Sequence, residues 1–175
     1  MFVDVTVPDP TAVAIPEATI NMKSPSWLGV NRTFTWEEMQ LIGSARRFTL
    51  VGRITPDEIT YQAHLDSIRK EHGSILNYML QVRLADFLND NKAEYLVVPN
   101  DFPYAMPEDM VHYVAWSKKG LFTGDLPSAE AKESIEACLD KLYGAGNYDW
   151  IWFINQPHLQ TIPDVYHAHV IAKRH

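Results

Sequence analysis

Residues 111–155 decide the fold: they read VHYVAWSKKGLFTGDLPSAEAKESIEACLDKLYGAGNYDWIWFIN. The runs at 111–117 and 149–155 are short and rich in β-branched and aromatic residues, which is typical of strands. Between them, Ser128 opens an amphipathic helix and Gly144 follows its last apolar position. The stretch therefore predicts a strand, a helix and a second strand.

Two further β-prone runs, EYLVVP at 94–99 and YHAHVIA at 166–172, complete the predicted sheet. Helical patterns precede all of these strands, and helices followed by strands are typical of the α+β class. We predict a single α+β domain over residues 34–175, with a roughly four-stranded, mainly antiparallel or mixed sheet and helices packed on one face. Residues 1–33, rich in Pro, Thr and Ser, are predicted to form an extended N-terminal arm.

Three helices are predicted upstream of the strands. Thr35 and Glu38 have the spacing of a capping box, which indicates a short helix beginning there. Thr55 is the expected N-cap of a second helix that runs to about His72. The apolar stripe of residues 74–88 predicts one continuous central helix.

Composition narrows the function. The net charge is −7 and the basic residues are scattered, so we expect no nucleic-acid partner. No apolar run is long enough to cross a membrane and no secretory signal is seen, so we expect a soluble cytoplasmic protein with no membrane partner. The lone cysteine, Cys138, excludes an internal disulfide framework and is expected to be a small core residue. The oligomeric state stays open, a homodimer included.

Three histidines are the main candidates for chemistry. Alternation along a strand puts His112 on one face with Val114 and Trp116, and puts His167 and His169 together on one face. If the two strands are neighbours, three imidazoles converge. They could bind a divalent metal, leaving a fourth position open, or transfer protons without metal. The alternative is that each histidine is a buried structural residue bonded to backbone.

The segment after the first strand supplies further candidates. Asn100, Asp101 and Tyr104 follow the strand end at Pro99 and precede His112. Asn-Asp before Phe-Pro is ordinary turn chemistry. A carboxylate, an amide and a phenol beside an imidazole would also suit the binding of a ligand.

Four other side chains have two interpretations each. Arg83 either binds an anionic substrate or pairs with Asp86 or Glu38. Asn155 caps a strand end or faces a pocket, and Trp116 and Trp152 are core residues or ligand contacts. No P-loop, GxGxxG, HExxH or GxSxG motif is present, so no nucleotide or flavin cofactor is expected.

Five segments together resemble the fungal N-acetylglucosamine-induced protein family, a domain of unknown function. They are TWEEM, the block VGRITPDEITYQAHLDSIRKEHGSILNYMLQVRL, NDFPYAMPEDMVHYVAWSK, LFTGDL and WFINQPHLQTIPDVYHAHVI, and the resemblance covers residues 34–172. The family implies no reaction. Positions that match its pattern are Asn100, Asp101, Pro103, Tyr104, His112, Trp116, Trp152, Asn155, His167 and His169.

The leading hypothesis is a small-molecule enzyme that uses its histidines for elimination, isomerisation, cyclisation or hydrolysis, with a divalent metal as a variant. The same resemblance implies that the protein acts in a biosynthetic pathway. The predicted catalytic residues are His112, His167, His169, Asp101 and Tyr104. The predicted substrate-binding residues are Asn100, Asn155, Trp116, Trp152 and Arg83. The rival hypothesis is a non-catalytic regulatory protein that binds a sugar or another metabolite.

Overall fold

A computed structural model describes residues 1–4, 29–45, 50–119, 122–123, 126–155 and 165–175. Most of the predicted N-terminal arm, residues 5–28, lies outside this part of the chain. Residues 1–4 lie beside the edge strand that contains Trp150, and Val3 donates its N–H to the Trp150 carbonyl at 2.7 Å.

The sheet has four strands: β1 (Tyr95–Pro99), β2 (Met110–Ser117), β5 (Tyr148–Phe153) and β6 (His167–Arg174). Their order across the sheet is β1, β2, β6, β5, and all three neighbouring pairs are antiparallel. A separate two-stranded ribbon joins β3 (Phe122–Thr123) to β4 (Leu126–Pro127). The α+β class and the four-stranded antiparallel sheet are therefore confirmed.

The helices occur at the predicted positions, with different details. They are α1 (Trp36–Ala45), α2 (Thr55–His72), α3 (Ile75–Tyr78), α4 (Ala85–Asn89) and α5 (Ala129–Tyr143). The capping box is confirmed, because Glu38 donates its N–H to Thr35 Oγ1 at 3.2 Å and the Glu38 carboxylate accepts from the Thr35 N–H at 3.0 Å. Thr55 is not the cap of α2 but its first residue, and its N–H is bonded to the Val30 carbonyl instead.

Helices cover both faces of the sheet, which corrects the prediction of helices on one face. Helix α5 packs Ile135 and Leu139 against one face, where Trp150 and Val170 meet them. The other face is covered by α1 and by the segment from α3 to α4. Central strands buried on both faces explain why the runs at 110–117 and 167–172 contain so few exposed positions.

The predicted continuous helix over residues 74–88 is interrupted. Between α3 and α4 lies a π-helical turn, Met79–Arg83, in which Leu84 donates its N–H to the Met79 carbonyl at 2.8 Å. The extra residue of a π turn shifts the phase of the helix, and here both Met79 and Leu84 are buried against the sheet. An apolar stripe does not reveal hydrogen-bond spacing, so this turn could not be predicted from the sequence.

Within the described residues, no helix is long and apolar enough to span a membrane.

Candidate functional site

A cavity of about 360 Å³ lies between the face of the sheet that carries the histidines and helices α2, α3 and the π turn. Its walls combine two kinds of side chain. One wall is polar and comes from strand ends, and the other is aliphatic and aromatic and comes from the helices. A space of this size suits a small organic ligand.

The register of β2 and β6 brings the histidines together. Val114 lies opposite His169 and Trp116 opposite His167, so the three imidazoles do share one face of the sheet. His112 and His169 are hydrogen-bonded directly, with 2.8 Å between His112 Nε2 and His169 Nδ1. His112 is 1% exposed and His169 is 8% exposed, so this bond is closed to water.

Hydrogen bonding sets the direction of the contact between the two rings. The backbone N–H of Tyr104 donates to His112 Nδ1 at 3.1 Å, so that nitrogen carries no proton. A neutral imidazole carries its single proton on the other nitrogen. His112 Nε2–H therefore donates to His169 Nδ1, and His169 in turn carries its proton on Nε2.

The next partner in this network is Asn155, which follows β5. The side-chain amide of Asn155 lies 2.9 Å from His169 Nε2 and 3.2 Å from the Tyr104 hydroxyl, and in both contacts the nearer atom is the amide nitrogen. A 180° rotation exchanges the nitrogen and oxygen of an amide, and the choice follows from the partners. Because His169 Nε2 is a donor, the amide oxygen of Asn155 takes this position and accepts from His169 and from the Tyr104 hydroxyl. We call Tyr104, His112, His169 and Asn155 the relay.

Burial keeps the rings of the relay neutral. Burial, followed by the neighbouring His167 and Arg53, lowers the pKa of His169 to about 3. Burial, with His169 and Arg53, also holds the pKa of His112 well below its ordinary value. Aromatic rings enclose both imidazoles: Tyr104 stacks on His112 at 4.4 Å between centroids and Phe153 on His169 at 5.2 Å.

His167 differs from the other two imidazoles. Its Nδ1 lies 2.7 Å from the carbonyl of Val165, so Nδ1 carries the proton and donates it to the backbone. The second nitrogen, Nε2, is then an acceptor, and no hydrogen bond of the described residues occupies it. Burial lowers the pKa of His167, which keeps this acceptor unprotonated at neutral pH.

The geometry gives the metal hypothesis no support. Within the described residues, no group of three or more His, Cys, Asp or Glu side chains is arranged to hold a metal ion. His112 and His169 use their facing nitrogens on each other, and the rings of His167 and His169 are 6.1 Å apart edge to face. Of these three imidazoles, only His167 has a ring nitrogen that no hydrogen bond of the described residues occupies.

The residues that follow β1 lie where they were expected, beside His112. Asn100 lines the cavity, and its amide nitrogen lies 3.3 and 3.5 Å from the two nitrogens of the His112 ring. Its amide oxygen accepts from the N–H of Phe102 at 2.9 Å, which is the turn chemistry also expected. The turn interpretation of Asn100 is therefore confirmed, and its role in binding a ligand stays a prediction.

Arg83 was expected to pair with Asp86 or Glu38, and that pairing is wrong. It donates instead to Asp101, from Nε at 3.2 Å and from a terminal nitrogen at 3.3 Å. Glu38 is bonded to Arg32. The π turn ends at Arg83 and directs it across the mouth of the cavity, a position that no regular helical spacing would have predicted.

The two tryptophans differ in place. Trp116 lines the cavity, with its ring 5.0 Å from that of His167. Trp152 lies opposite Val170 in the sheet and packs on the other face, in the core beneath α5. The structure therefore places Trp152 away from the candidate site, because neighbouring residues of a strand point to opposite faces.

Sequence reasoning missed the wall formed by the start of α2. Arg53 donates to Glu58 at 3.0 Å and to the Phe102 carbonyl at 2.9 Å, and its guanidinium lies 3.8 Å from the centre of the Tyr61 ring. A charged pair that is only 13% and 12% exposed is a strong marker of a buried site. The only signal in the sequence was an arginine just before a helix start, which is too common to be informative.

Comparison with known proteins identifies relatives. The family model described as "Protein of unknown function (DUF3605)" matches residues 35–173. N-acetylglucosamine-induced protein 1 of Candida albicans is 24% identical over 195 residues, which cover 92% of this chain and 76% of that protein. Uncharacterized protein YPL067C of Saccharomyces cerevisiae is 34% identical over 87 residues, 44% of this chain and 42% of that protein.

A solved structure, "Crystal Structure of HTC1", has a similar fold. The TM-score is 0.56 at 26% sequence identity, over 79% of this chain and 84% of that one. These matches confirm the resemblance to a fungal family of unknown function.

Proposed function

The chain belongs to the DUF3605 family, and we propose that it is a small-molecule enzyme that moves protons inside an enclosed cavity, with His167 as the general base. The reaction would be an elimination, isomerisation, cyclisation or hydrolysis. A cytoplasmic location and a place in a biosynthetic pathway belong to the same proposal.

One observation carries the proposal: the bond from His167 Nδ1 to the Val165 carbonyl, 2.7 Å long. It fixes the tautomer and leaves Nε2 as the basic nitrogen at the wall of the cavity. A general base must be unprotonated at the working pH, and the lowered pKa of His167 supplies that condition. His167 is therefore prepared to accept a proton from a bound molecule.

The relay supports His167 and does not replace it. With a pKa of about 3, His169 is a weak base and stays neutral at pH 7. Its role is to hold Asn155 and, through His112, the Tyr104 segment in place. Asp101 accepts two hydrogen bonds from Arg83 at the mouth, and we assign it the role of holding this arginine instead of the role of base.

A second candidate function is non-catalytic binding of a metabolite. The observation in its favour is the neutral relay itself, since two buried imidazoles that do not titrate near pH 7 are suited to orienting a ligand. The name of the Candida albicans relative mentions induction by N-acetylglucosamine. A sugar of this type is therefore a reasonable first ligand to test for a sensor.

The test uses 5-nitrobenzisoxazole, a neutral chromogenic molecule that a single well-placed base cleaves by removing a proton from carbon. We expect the protein to cleave it and His167→Gln to lose about a hundredfold of kcat/KM, the lower end of what one acid–base group supplies. Because burial lowers the pKa of His167, the wild-type rate should begin to fall at a lower pH than a rate that depends on an ordinary histidine.

His72→Gln is the matched control, because His72 lies at the end of α2 and does not line the cavity. It should react at the wild-type rate. Ligand-observed NMR on the wild type, His167→Gln and His72→Gln shows whether each protein still binds the probe, which separates catalysis from binding. Equal rates in His167→Gln and wild type, with the probe bound by both, would contradict the enzyme proposal and favour the binding protein.

A further inference from the structure

The charges around the cavity suggest what kind of molecule it accepts. Among the described residues, its walls contain two arginines and two carboxylates, and these form two ion pairs. The inner pair is Arg53 with Glu58, 3.0 Å apart, and both side chains are almost buried. The Arg53 guanidinium also lies over the Tyr61 ring and donates a hydrogen bond to the Phe102 carbonyl.

The outer ion pair, Arg83 with Asp101, contains the other two charged side chains of the cavity wall among the described residues. Arg83 meets Asp101 at 3.2 Å at the mouth, where the two side chains are 35% and 65% exposed. Each arginine is thus neutralised within the protein. An anionic ligand would have to compete with a carboxylate for an arginine that it already neutralises, and a cationic ligand would have to compete with an arginine for its carboxylate.

The imidazoles add no charge. Each ring of the relay has one nitrogen that donates and one that accepts, and His167 has its proton engaged by Val165. A charged group placed against these rings would lose its hydration without gaining an opposite charge. A neutral hydroxyl or amide N–H could donate to His167 Nε2, and a neutral carbonyl could accept from the amide nitrogen of Asn100, without this loss.

The helical wall is apolar and aromatic. Side chains there come from α2, α3, the π turn and the strands beneath them: Leu65, Ile68, Ile75, Met79, Val98 and Val114. Trp116 and Tyr104 add flat ring surfaces. Apolar walls of this kind stabilise a bound molecule through the surface that it removes from water.

We infer that the ligand of this cavity is an electrically neutral molecule with an apolar or aromatic body and one or two polar groups, and that the cavity rejects carboxylates and phosphates. This inference rests on the proposed function, because it names the substrate class of the same cavity. It excludes sugar phosphates, nucleotides and organic acids as the main ligands. A molecule held in this way presents its polar group to His167 and its body to α2 and the π turn.

The experiment compares neutral and anionic molecules of the same shape, 2-naphthamide and 2-naphthoate, by ligand-observed NMR titration at pH 7. The wild type should bind the amide about tenfold or more tightly than the acid, a difference of about 1.4 kcal/mol. Asp101→Asn leaves Arg83 without its carboxylate. This variant should therefore bind the acid more tightly, relative to the amide, than the wild type does.

Asp66→Asn is the matched control. It removes an aspartate from an arginine pair of similar exposure, Asp66 with Arg69 at 2.7 Å, that lies outside the cavity. It changes the net charge equally, so it should leave both affinities unchanged. Wild-type protein that binds the acid as tightly as the amide, or that binds no amide, would overturn the inference.

Binding is measured without turnover, so this result is independent of the proposed reaction. His167→Gln should retain the preference for the amide even if 5-nitrobenzisoxazole is never cleaved by the wild type. Cleavage of that probe together with a preference for the acid would leave the proposed base intact and contradict only the inference about ligand charge.

Discussion

A bond between two neutral imidazoles, His112 and His169, is the centre of the site. A protonated imidazole would be difficult to bury here, because its charge would be desolvated. Neutral rings avoid this cost, and the Tyr104 N–H selects the tautomer by donating to His112 Nδ1 at 3.1 Å. A single backbone donor thus fixes the tautomer of one ring directly and that of the next ring through it.

At the same scale, the Tyr104 hydroxyl can be tested apart from its ring. Tyr104→Phe keeps the stack on His112 and removes only the bond to Asn155, so we expect the free energy of unfolding to fall by about 1 kcal/mol. Tyr104→Ala should cost about 3–5 kcal/mol, as other large-to-small core changes do. Urea unfolding at pH 7 measures both.

Tyr166→Phe is the control for this prediction, because the Tyr166 side chain is 54% exposed. It should change the free energy of unfolding by less than about 0.5 kcal/mol. If Tyr104→Phe is no more costly than Tyr166→Phe, the hydroxyl does not belong to the relay.

The sequence predicted most of the residues of the site. Strand alternation placed His167 and His169 on one face, with His112 joining them only if the two strands were neighbours, and the register shows all three there. It did not predict which nitrogen each ring uses, because that depends on Tyr104 and Val165, which reach the rings through the backbone. Backbone partners are independent of side-chain identity and leave no trace in a motif.

At the scale of elements, helix α5 is the cover of the second sheet face. Its inward stripe includes Leu139, which is fully buried, whereas Leu142 is 55% exposed on the same helix. We expect Leu139→Ala to lower the free energy of unfolding by about 2–5 kcal/mol through the lost contacts and the cavity left behind.

Leu142→Ala makes the same chemical change on the exposed side of α5. It should cost less than about 0.5 kcal/mol, because little apolar surface is uncovered. Equal losses in the two variants, measured by thermal or urea unfolding, would mean that α5 does not pack on the sheet as described.

Strands and the longest helix were the most predictable elements. All four strands carry β-branched and aromatic runs, and α2 has an acidic first turn and a basic last turn. The placement of helices on both faces was not predictable, since an apolar stripe shows that a helix is covered but not by which face of the sheet. The π turn escaped for a similar reason: phase within a broad apolar stripe is set by the tertiary contacts of Met79 and Leu84.

For the whole molecule, the buried imidazoles predict how stability depends on pH. Their pKa values are lowered in the folded protein, so below about pH 6.5 the unfolded chain binds protons that the folded chain does not. The free energy of unfolding should therefore be highest above this pH and fall as the pH falls. Each neutral imidazole contributes a slope of about 1.4 kcal/mol per pH unit below its unfolded pKa.

His169→Gln removes one of these groups, and its pH dependence should be shallower by about one such slope between pH 6 and pH 4.5. His64→Gln is the control, because the His64 side chain is exposed on α2. It should retain the wild-type pH dependence in urea unfolding. A His169→Gln curve parallel to that of wild type would show that His169 is already charged or hydrated in the folded protein.

The most direct test of this account is ¹⁵N NMR of the histidine rings in the wild-type protein at pH 7. The account predicts neutral rings with the proton on Nε2 in His112 and His169, and with the proton on Nδ1 in His167. Assignments follow from His112→Gln, His167→Gln and His169→Gln. A His167 ring that is cationic, or that carries its proton on Nε2, would contradict the account, because Nε2 could then not accept a proton from a bound molecule.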